Sequence, residues 1–155
     1  HRIIIIFTKR KINIESFTAS ESEFEGIHRF TIAVFETEEA VRKVAKQIEK
    51  NVEVLKASYY KKEEVVQQEM ALYKIPTESL TQGGQVEQIV RDHNARILNV
   101  EREFTIIEKT GYKRETKSLF DELQPYGIKE FVRSGRIAVS KEAHGIDELV
   151  ANFKK

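Results

Sequence analysis

The first twenty residues, HRIIIIFTKRKINIESFTAS, carry an apolar pattern that fits two kinds of element. Four consecutive isoleucines are typical of a strand, because β-branched side chains favour extended backbone. However, Ile3, Ile6 and Phe7 follow helical spacing, and the basic run of residues 9–11 suits a helix C-terminus, where cations meet unsatisfied carbonyls. The pattern therefore predicts a helix at the start of the chain.

The following segments predict a hairpin, a helix and a further strand. Residues 13–20 and 27–35 have strand-like composition and are joined by the acidic turn ESEFEG. Thr37 is a predicted helix N-cap, because two glutamates follow it in the first turn. An apolar stripe then repeats at helical spacing: Val41, Val44, Ala45 and Ile48. The segment VEVLKASYY, residues 52–60, is predicted to be a strand.

The second half repeats this order and adds a strand in front, VVQQEMALYKI at residues 65–75. Two helical stripes flank a hairpin built from RILNVE and FTIIEK, and the last strand is IKEFVRSG, after PYG. The stripes comprise Val86, Ile89, Val90 and His93, and then Thr116, Leu119, Phe120 and Leu123. The segment PTESLTQGGQ, residues 76–85, is predicted to be a mobile loop between the first strand and its helix. This half is a complete βαββαβ unit of ferredoxin-like form.

The two halves together predict an α+β fold of two ferredoxin-like βαββαβ domains in tandem. The first half lacks its opening strand, which the likeness of the two halves predicts directly before His1. Because the one methionine is Met70, we expect that the sequence given omits upstream residues. The predicted domains are residues 1–62 and 63–141. Residues 142–155 are predicted to form an amphipathic helix that packs on this chain or, less favoured, on a partner.

Composition narrows the function classes. Lys and Arg total 26 against 25 Asp and Glu, so binding to nucleic acid or a membrane surface would need a local patch. The chain has no cysteine, which excludes disulfides and thiolate nucleophiles. The apolar run at residues 3–7 is far below the roughly 18 residues of a membrane span. We therefore expect a cytoplasmic protein with no membrane or nucleic-acid partner.

Several longer motifs resemble one family. NIES at residues 13–16, with RIIIIFTKRK before it and HRFTIAVF after it, is similar to the small, regulatory subunit of acetohydroxyacid synthase, also called acetolactate synthase. VVQQEMALYKI, EKTG at residues 108–111 and LQPYGIKEFVRSG at residues 123–135 resemble later motifs of that family in the same order. The resemblance covers about nine tenths of the chain.

The resemblance implies an N-terminal ACT domain, a module that binds a regulatory amino acid, and a homodimer through paired ACT domains. It implies a separate catalytic subunit that carries thiamine diphosphate, Mg and FAD, while this chain holds no cofactor and no catalytic residue. The small subunit would activate that partner and confer feedback inhibition by a branched-chain amino acid, usually valine, in valine, leucine and isoleucine synthesis.

In the family the effector is held by the Asn of NIES, which maps onto Asn13, and by a loop that would lie upstream of His1. An Asn side chain offers both a donor and an acceptor to a zwitterionic amino acid. On the residues alone, a turn Asn that bonds its own backbone is the commoner arrangement, and the resemblance reverses that preference. Ile14 is a candidate contact for the aliphatic group, or simply core. Arg29, in the middle of a predicted strand, is expected to be structural or interfacial.

Other features carry no assignment. No pair of histidines has metal-ligand spacing, so no metal site is expected. The carboxylates, Glu108 among them, are predicted to lie on the surface at alternating positions. No nucleophile or base motif accompanies them. HRFTIAVF lacks the glycines and exposed aromatics of an RNA-binding strand. The basic run at residues 9–11 is interpreted as a solvated helix end, although an acidic partner or a phosphate is the alternative.

Two rival functions remain open at the sequence level. One is a free ACT-type amino-acid sensor that acts on another target. The other is an oligomerisation module with a vestigial ligand site.

Overall fold

The computed structural model describes residues 2–153 and contains helices and strands in the predicted alternation. The chain divides into two compact units, His1–Val66 together with Ala138–Lys155, and Gln67–Ile137. The described α-helices are α1 Arg2–Lys9, α2 Glu38–Glu49, α3 Glu78–Thr81, α4 Gln85–Asp92, α5 Lys113–Leu123 and α6 Ile146–Phe153. The described strands are β1 Ile14–Glu21, β2 His28–Val34, β3 Val65–Pro76, β4 Arg96–Val100, β5 Phe104–Gly111, β6 Glu130–Arg133 and β7 Ile137–Ser140.

In the first unit the opening helix and the hairpin are confirmed. Strands β1 and β2 pair antiparallel, and α1 and α2 supply the apolar residues of a small core. Thr37 caps α2 by accepting a hydrogen bond from the Ala40 amide at 3.3 Å. The buried centre of this core is Ile6, Phe7 and Val44, with partly buried Ile3, Ile12, Ile14, Ile32, Val34 and Ile48 around it. The core contains residues of both predicted helical stripes.

The strand predicted at residues 52–60 is wrong, because this segment has no strand geometry. The second unit shows the reason: its fourth strand, β6, is the counterpart of residues 52–60, and β6 pairs with the first strand of that unit, β3. In the first unit β1 and β2 correspond to the second and third strands, and the described residues provide no first strand there. Without a neighbour to complete its backbone hydrogen bonds, the segment stays outside a sheet, and Val52 is fully exposed. The strand expected before His1 lies outside the described residues.

The second unit has the predicted βαββαβ order. Its sheet runs β4-β5-β3-β6, with β3 antiparallel to both β5 and β6, and β7 also pairs with β3. This is the ferredoxin-like order, in which the first and third strands are central. Helices α4 and α5 cover one face of the sheet. The buried core there consists of Ala71, Tyr73, Ile75, Val86, Val90, Ile107, Leu119 and Leu123.

Two segments differ in detail from expectation. Part of the loop predicted at residues 76–85 forms the short helix α3, which follows β3 directly. The single strand predicted at IKEFVRSG is the short strand β6, and a further strand, β7, follows it. At the C-terminal end α6 is helical as predicted, and its Val150 is buried. No helix among residues 2–153 is long and apolar enough to cross a membrane.

Candidate functional site

The candidate effector residue Asn13 lies in the turn that joins α1 to β1. The helix ends with two backbone bonds of 3.0 Å, from the Lys11 amide to the Thr8 carbonyl and from the Ile12 amide to the Phe7 carbonyl. This pair of bonds defines a Schellman motif, in which the residue at the Lys11 position adopts the left-handed conformation. Lys11 does so, with φ 57°. The turn is therefore fixed by backbone bonds before the chain reaches Asn13.

Asn13 is exposed, and its side chain has no hydrogen-bond partner among residues 2–153. The preceding turn satisfies its own backbone, so the side chain is not needed to cap the helix. Its amide oxygen and nitrogen are both open to a ligand, which is the chemistry that an amino-acid zwitterion requires. The structure thus places Asn13 as a surface donor and acceptor on a rigid turn.

Ile14, the other candidate contact, is the first residue of β1. It is half-buried, lies opposite Val34 in the register and packs against the cluster of Ile6, Phe7 and Val44. Much of its aliphatic surface is therefore taken up by the core of the first unit. Its role as an effector contact stays a prediction.

Arg29 lies at the second position of β2, close to the strand start, so the prediction that it lies in the middle of a strand is wrong. Its register partner is Ser20, and the next pair on the same face is Thr18 and Thr31. This face is opposite the one that carries Ile32, which packs against the core residues of the two helices. Arg29 is exposed and pairs with no carboxylate among the described residues. Its role, structural or interfacial, stays a prediction.

The structure does not bring Asn13 and Arg29 together. Ile14 pairs with Val34 at one end of the hairpin, whereas Ser20 pairs with Arg29 near the other end. Six residues of extended strand separate the two pairs, which is about 20 Å at the usual rise of a strand. The two residues therefore belong to different places on the first unit, and one small ligand cannot contact both.

In the second unit the EKTG segment has a clear structural role. Glu108 is buried, so the prediction that it lies in a surface context is wrong. Its carboxylate accepts a hydrogen bond of 2.6 Å from the Thr110 hydroxyl and another from the Arg96 guanidinium on β4. The Thr110 bond is the main reason why the pKa of Glu108 lies below its usual value; burial opposes the shift and Arg96 adds to it. This carboxylate is held ionised between two strands.

The glycine of the same motif makes room for a helix cap. The Glu115 carboxylate turns back to accept a hydrogen bond of 2.6 Å from the Tyr112 amide at the start of α5. A side chain at Gly111 would place its Cβ 2.6 Å from that carboxylate oxygen, which is too close. Gly111 is therefore required by the Glu115 cap.

A second polar cluster lies in the core of this unit, on β3 and α5. The Thr116 hydroxyl donates to the buried Glu69 carboxylate at 2.6 Å, and the Tyr73 hydroxyl donates to the Thr116 carbonyl at 2.5 Å. Arg133 on β6 lies 3.7 Å from the same Glu69 carboxylate. Burial, followed by the nearby Glu69 charge, raises the pKa of Tyr73 well above its usual value. Because these groups satisfy one another, the cluster is structural.

No group of three or more His, Asp or Glu side chains among residues 2–153 has the geometry of a metal site. The role of Asn13, at the α1–β1 turn, as an effector residue stays a prediction.

Each half of the chain matches a known protein family. Residues 1–56 match the AHAS small subunit-like ACT domain, and residues 68–142 match the family described as the small subunit of acetolactate synthase. The predicted domain boundaries at 62/63 and 141/142 stay predictions.

Individual relatives cover most of the chain. The acetolactate synthase small subunit of Bacillus subtilis is 34% identical over 142 residues, which cover 91% of this chain and 82% of the relative. That of Mycolicibacterium smegmatis is 31% identical over 145 residues, 94% of this chain and 85% of the relative. The crystal structure of the acetolactate synthase small subunit from Thermotoga maritima matches with a TM-score of 0.81 and 30% identity, covering 92% of this chain and 89% of that one.

Proposed function

This chain belongs to the family of acetolactate synthase small subunits, and from that membership we propose that it regulates the catalytic subunit of acetolactate synthase. It activates that subunit and confers feedback inhibition by a branched-chain amino acid, with valine as the leading candidate. The chemistry, with thiamine diphosphate, Mg and FAD, belongs to the catalytic subunit. The setting is the cytoplasm.

The observation that carries this proposal is the position of Asn13 within the ACT-like unit. Its exposed amide stands on a turn fixed by the Schellman bonds of Lys11 and Ile12. A ligand that bonds to it meets a donor and an acceptor already held in place, so little ordering is required on binding. The amino acid's carboxylate accepts from the amide nitrogen, and its ammonium donates to the amide oxygen.

Regulation follows if the effector binds the two states of the assembly with different affinity. The free energy that couples such sites is typically about 1–3 kcal/mol, which changes affinity or activation by roughly 5- to 150-fold. In the active state the small subunit stabilises a competent catalytic subunit. The bound amino acid shifts the population away from that state.

We also propose that the first unit forms a homodimer, with Arg29 at the interface. The helix-free face of the hairpin supports this: it is lined by hydroxyl side chains, and Arg29 stands exposed on it without a carboxylate among the described residues. An arginine of this kind is well suited to bidentate bonding with acceptors of a second chain.

The experiment is acetolactate formation by the catalytic subunit of the same organism, measured alone and with the full-length small subunit, each with and without valine, leucine and isoleucine. We expect a several-fold rise in rate on adding the small subunit, reversed by one of the three amino acids. No change in rate under any condition would overturn the proposal. Amino-acid binding in calorimetry without any effect on the rate would favour the free sensor instead.

A further inference from the structure

The two helices of the first unit form a strongly cationic surface. Helices α1 and α2 pack through Ile6, Phe7 and Val44 and present their other sides to solvent. We call the exposed cations of these helices and their C-terminal turns the cationic helix surface. It consists of Arg2, Lys9, Arg10, Lys11, Arg42, Lys43, Lys46 and Lys50.

The three carboxylates on the same helices neutralise only a small part of this surface, because two of them pair with lysines outside the two helices. Glu38 pairs with Lys61 at 2.8 Å, and Glu49 pairs with Lys56 at 3.5 Å; both lysines lie outside the two helices. The third carboxylate, Glu39, pairs with Lys43 at 2.7 Å. Within residues 2–153 the other seven cations of the surface form no ion pair, although the charge of Arg42 also acts on Glu39.

One cross-helix bond holds the two basic segments together. The Arg10 guanidinium Nε donates to the Gln47 side-chain oxygen at 2.9 Å, which joins the C-terminal end of α1 to the second half of α2. Gln47 lies beside Lys46 and three residues before Lys50, so the bond places Arg10 among the cations of α2. Like charges gathered in this way repel one another, and a negatively charged partner would relieve that repulsion.

The patch is local, because the hairpin tip of the same unit is acidic. Glu21, Glu23 and Glu25 lie at or near that tip, and the whole chain carries a net charge of only +1. The acidic hairpin tip and the cationic helix surface thus lie on different elements of the first unit. A segregated field of this kind steers a partner of opposite sign toward one face.

An exposed apolar side chain on α1 indicates the kind of partner. Ile5 is 38% exposed and lies three residues after Arg2 and four residues before Lys9, so the two cations flank it on the surface of α1. Aliphatic groups inside a charged rim are typical of protein interfaces. Single-stranded nucleic acids are instead bound with exposed aromatic rings for base stacking, and the one aromatic residue of α1 and α2, Phe7, is buried.

We propose that the cationic helix surface docks an acidic surface of the catalytic subunit, with Ile5 in the apolar part of the contact. This inference rests on the proposed function and adds the place and chemistry of the contact. Docking uses the positive charges of this surface, whereas the effector bonds to the side-chain amide of Asn13. Amino-acid binding should therefore survive changes that abolish docking.

The test compares two sets of charge reversals that change the net charge equally. The first set combines Lys9→Glu, Lys46→Glu and Lys50→Glu on the cationic helix surface. The control set combines Arg102→Glu, Lys113→Glu and Lys129→Glu, three exposed cations of the second unit without ion pairs among the described residues. A third chain with Lys9, Lys46 and Lys50 changed to Gln removes the charge without reversing it. Calorimetry with valine, leucine and isoleucine checks that each variant is folded.

Association with the catalytic subunit is measured by sedimentation at about 50 mM and about 500 mM salt, since salt screens exposed charges over this range. We expect the wild-type chain to bind more weakly at high salt. At low salt we expect the Glu set to bind at least about tenfold more weakly, the Gln set to be intermediate and the control set to stay within about twofold of wild type.

Wild-type affinity in the Glu set, or an equal loss in the control set, would overturn the docking proposal and leave the proposed function standing. Failure of the wild-type chain to bind or activate the catalytic subunit would overturn the proposed function and the docking with it. Tight binding of the wild type to phosphatidylglycerol vesicles or duplex DNA, lost in the Glu set while catalytic-subunit binding is kept, would reassign the surface to that anion.

Discussion

Lys11 and Asn94 occupy the same position in equivalent turns of the two units. Each follows the helix that leads into the unit's hairpin, and each has a positive φ, 57° and 49° respectively. After Asn94, the Ala95 amide bonds to the Val90 carbonyl at 2.9 Å, as the Ile12 amide bonds in the first unit. Asn tolerates this left-handed conformation because its short polar side chain can bond locally, whereas the Lys side chain cannot do so.

The first prediction is that Lys11→Gly stabilises the protein. Glycine adopts the left-handed conformation without a Cβ clash, so we expect the free energy of unfolding in urea to rise by about 1 kcal/mol. Lys9→Gly, at the last residue of α1, is the control and should lower it by up to about 1 kcal/mol, because glycine has a low helix propensity. Equal signs for the two variants would contradict the assignment of the turn.

Local patterns predicted the helices well, whereas the strands depended on partners that local pattern does not contain. The stripe that includes Val44 predicted α2 because helical hydrogen bonds are made within the segment itself. Residues 52–60 have strand composition too, but a strand needs a neighbour, and the described residues supply none. The sequence periodicity cannot reveal that missing neighbour.

The candidate site was predictable only in part. Asn13 is a candidate through the NIES motif; the structure shows that it is exposed at a turn, and its role in effector binding stays a prediction. The burial of Glu108 was missed because it depends on strand register, which places Arg96 directly opposite. The basic run at residues 9–11 was interpreted as a solvated helix end, and its joining with the cations of α2 was missed because Arg10 and Gln47 are 37 residues apart in sequence. In each case the missing information is a long-range pairing.

The second prediction concerns effector binding. Asn13→Ala removes hydrogen bonds to a charged ligand, a loss of roughly 1.5–3 kcal/mol, or about 10- to 150-fold in the affinity for valine. Calorimetry and the valine inhibition curve measure it, and activation of the catalytic subunit should be unchanged. Asn99→Ala, in β4 of the second unit, is the matched control. An inhibition curve that does not move in Asn13→Ala would remove Asn13 from the effector site.

The third prediction concerns Glu108 at low pH. Its pKa is lowered in the folded state, mainly by the Thr110 hydroxyl and also by Arg96, so its contribution to stability is present above the unfolded pKa of about 4.3 and is lost as pH falls through the folded pKa. Glu108→Gln should cost roughly 1.5–3 kcal/mol at pH 7. It should also flatten the loss of stability below about pH 4.3.

Urea unfolding at several pH values between about 2.5 and 7 measures both effects of the Glu108 change. Glu103→Gln is the control, since Glu103 is exposed and has no side-chain partner among the described residues. A Glu108 variant that keeps the wild-type acid dependence would show that another carboxylate is responsible.

The fourth prediction concerns Tyr73 at high pH. Burial first, and then Glu69, raise its pKa in the folded state, so the stability that it contributes is complete below the unfolded pKa of about 10 and is lost as pH rises toward the folded pKa. Above about pH 10 wild-type stability should therefore fall, by up to about 1.4 kcal/mol per pH unit from this one group.

Tyr73→Phe removes the titrating hydroxyl and its bond to the Thr116 carbonyl. We expect it to cost about 1–2 kcal/mol at pH 7, because the carbonyl loses a buried donor. Between about pH 10 and 11 the variant should lose less stability than wild type, so the two curves approach each other. Tyr59→Phe, at an exposed tyrosine, should keep the wild-type slope. Parallel curves for wild type and Tyr73→Phe would mean that Tyr73 ionises equally readily in the folded and unfolded chains.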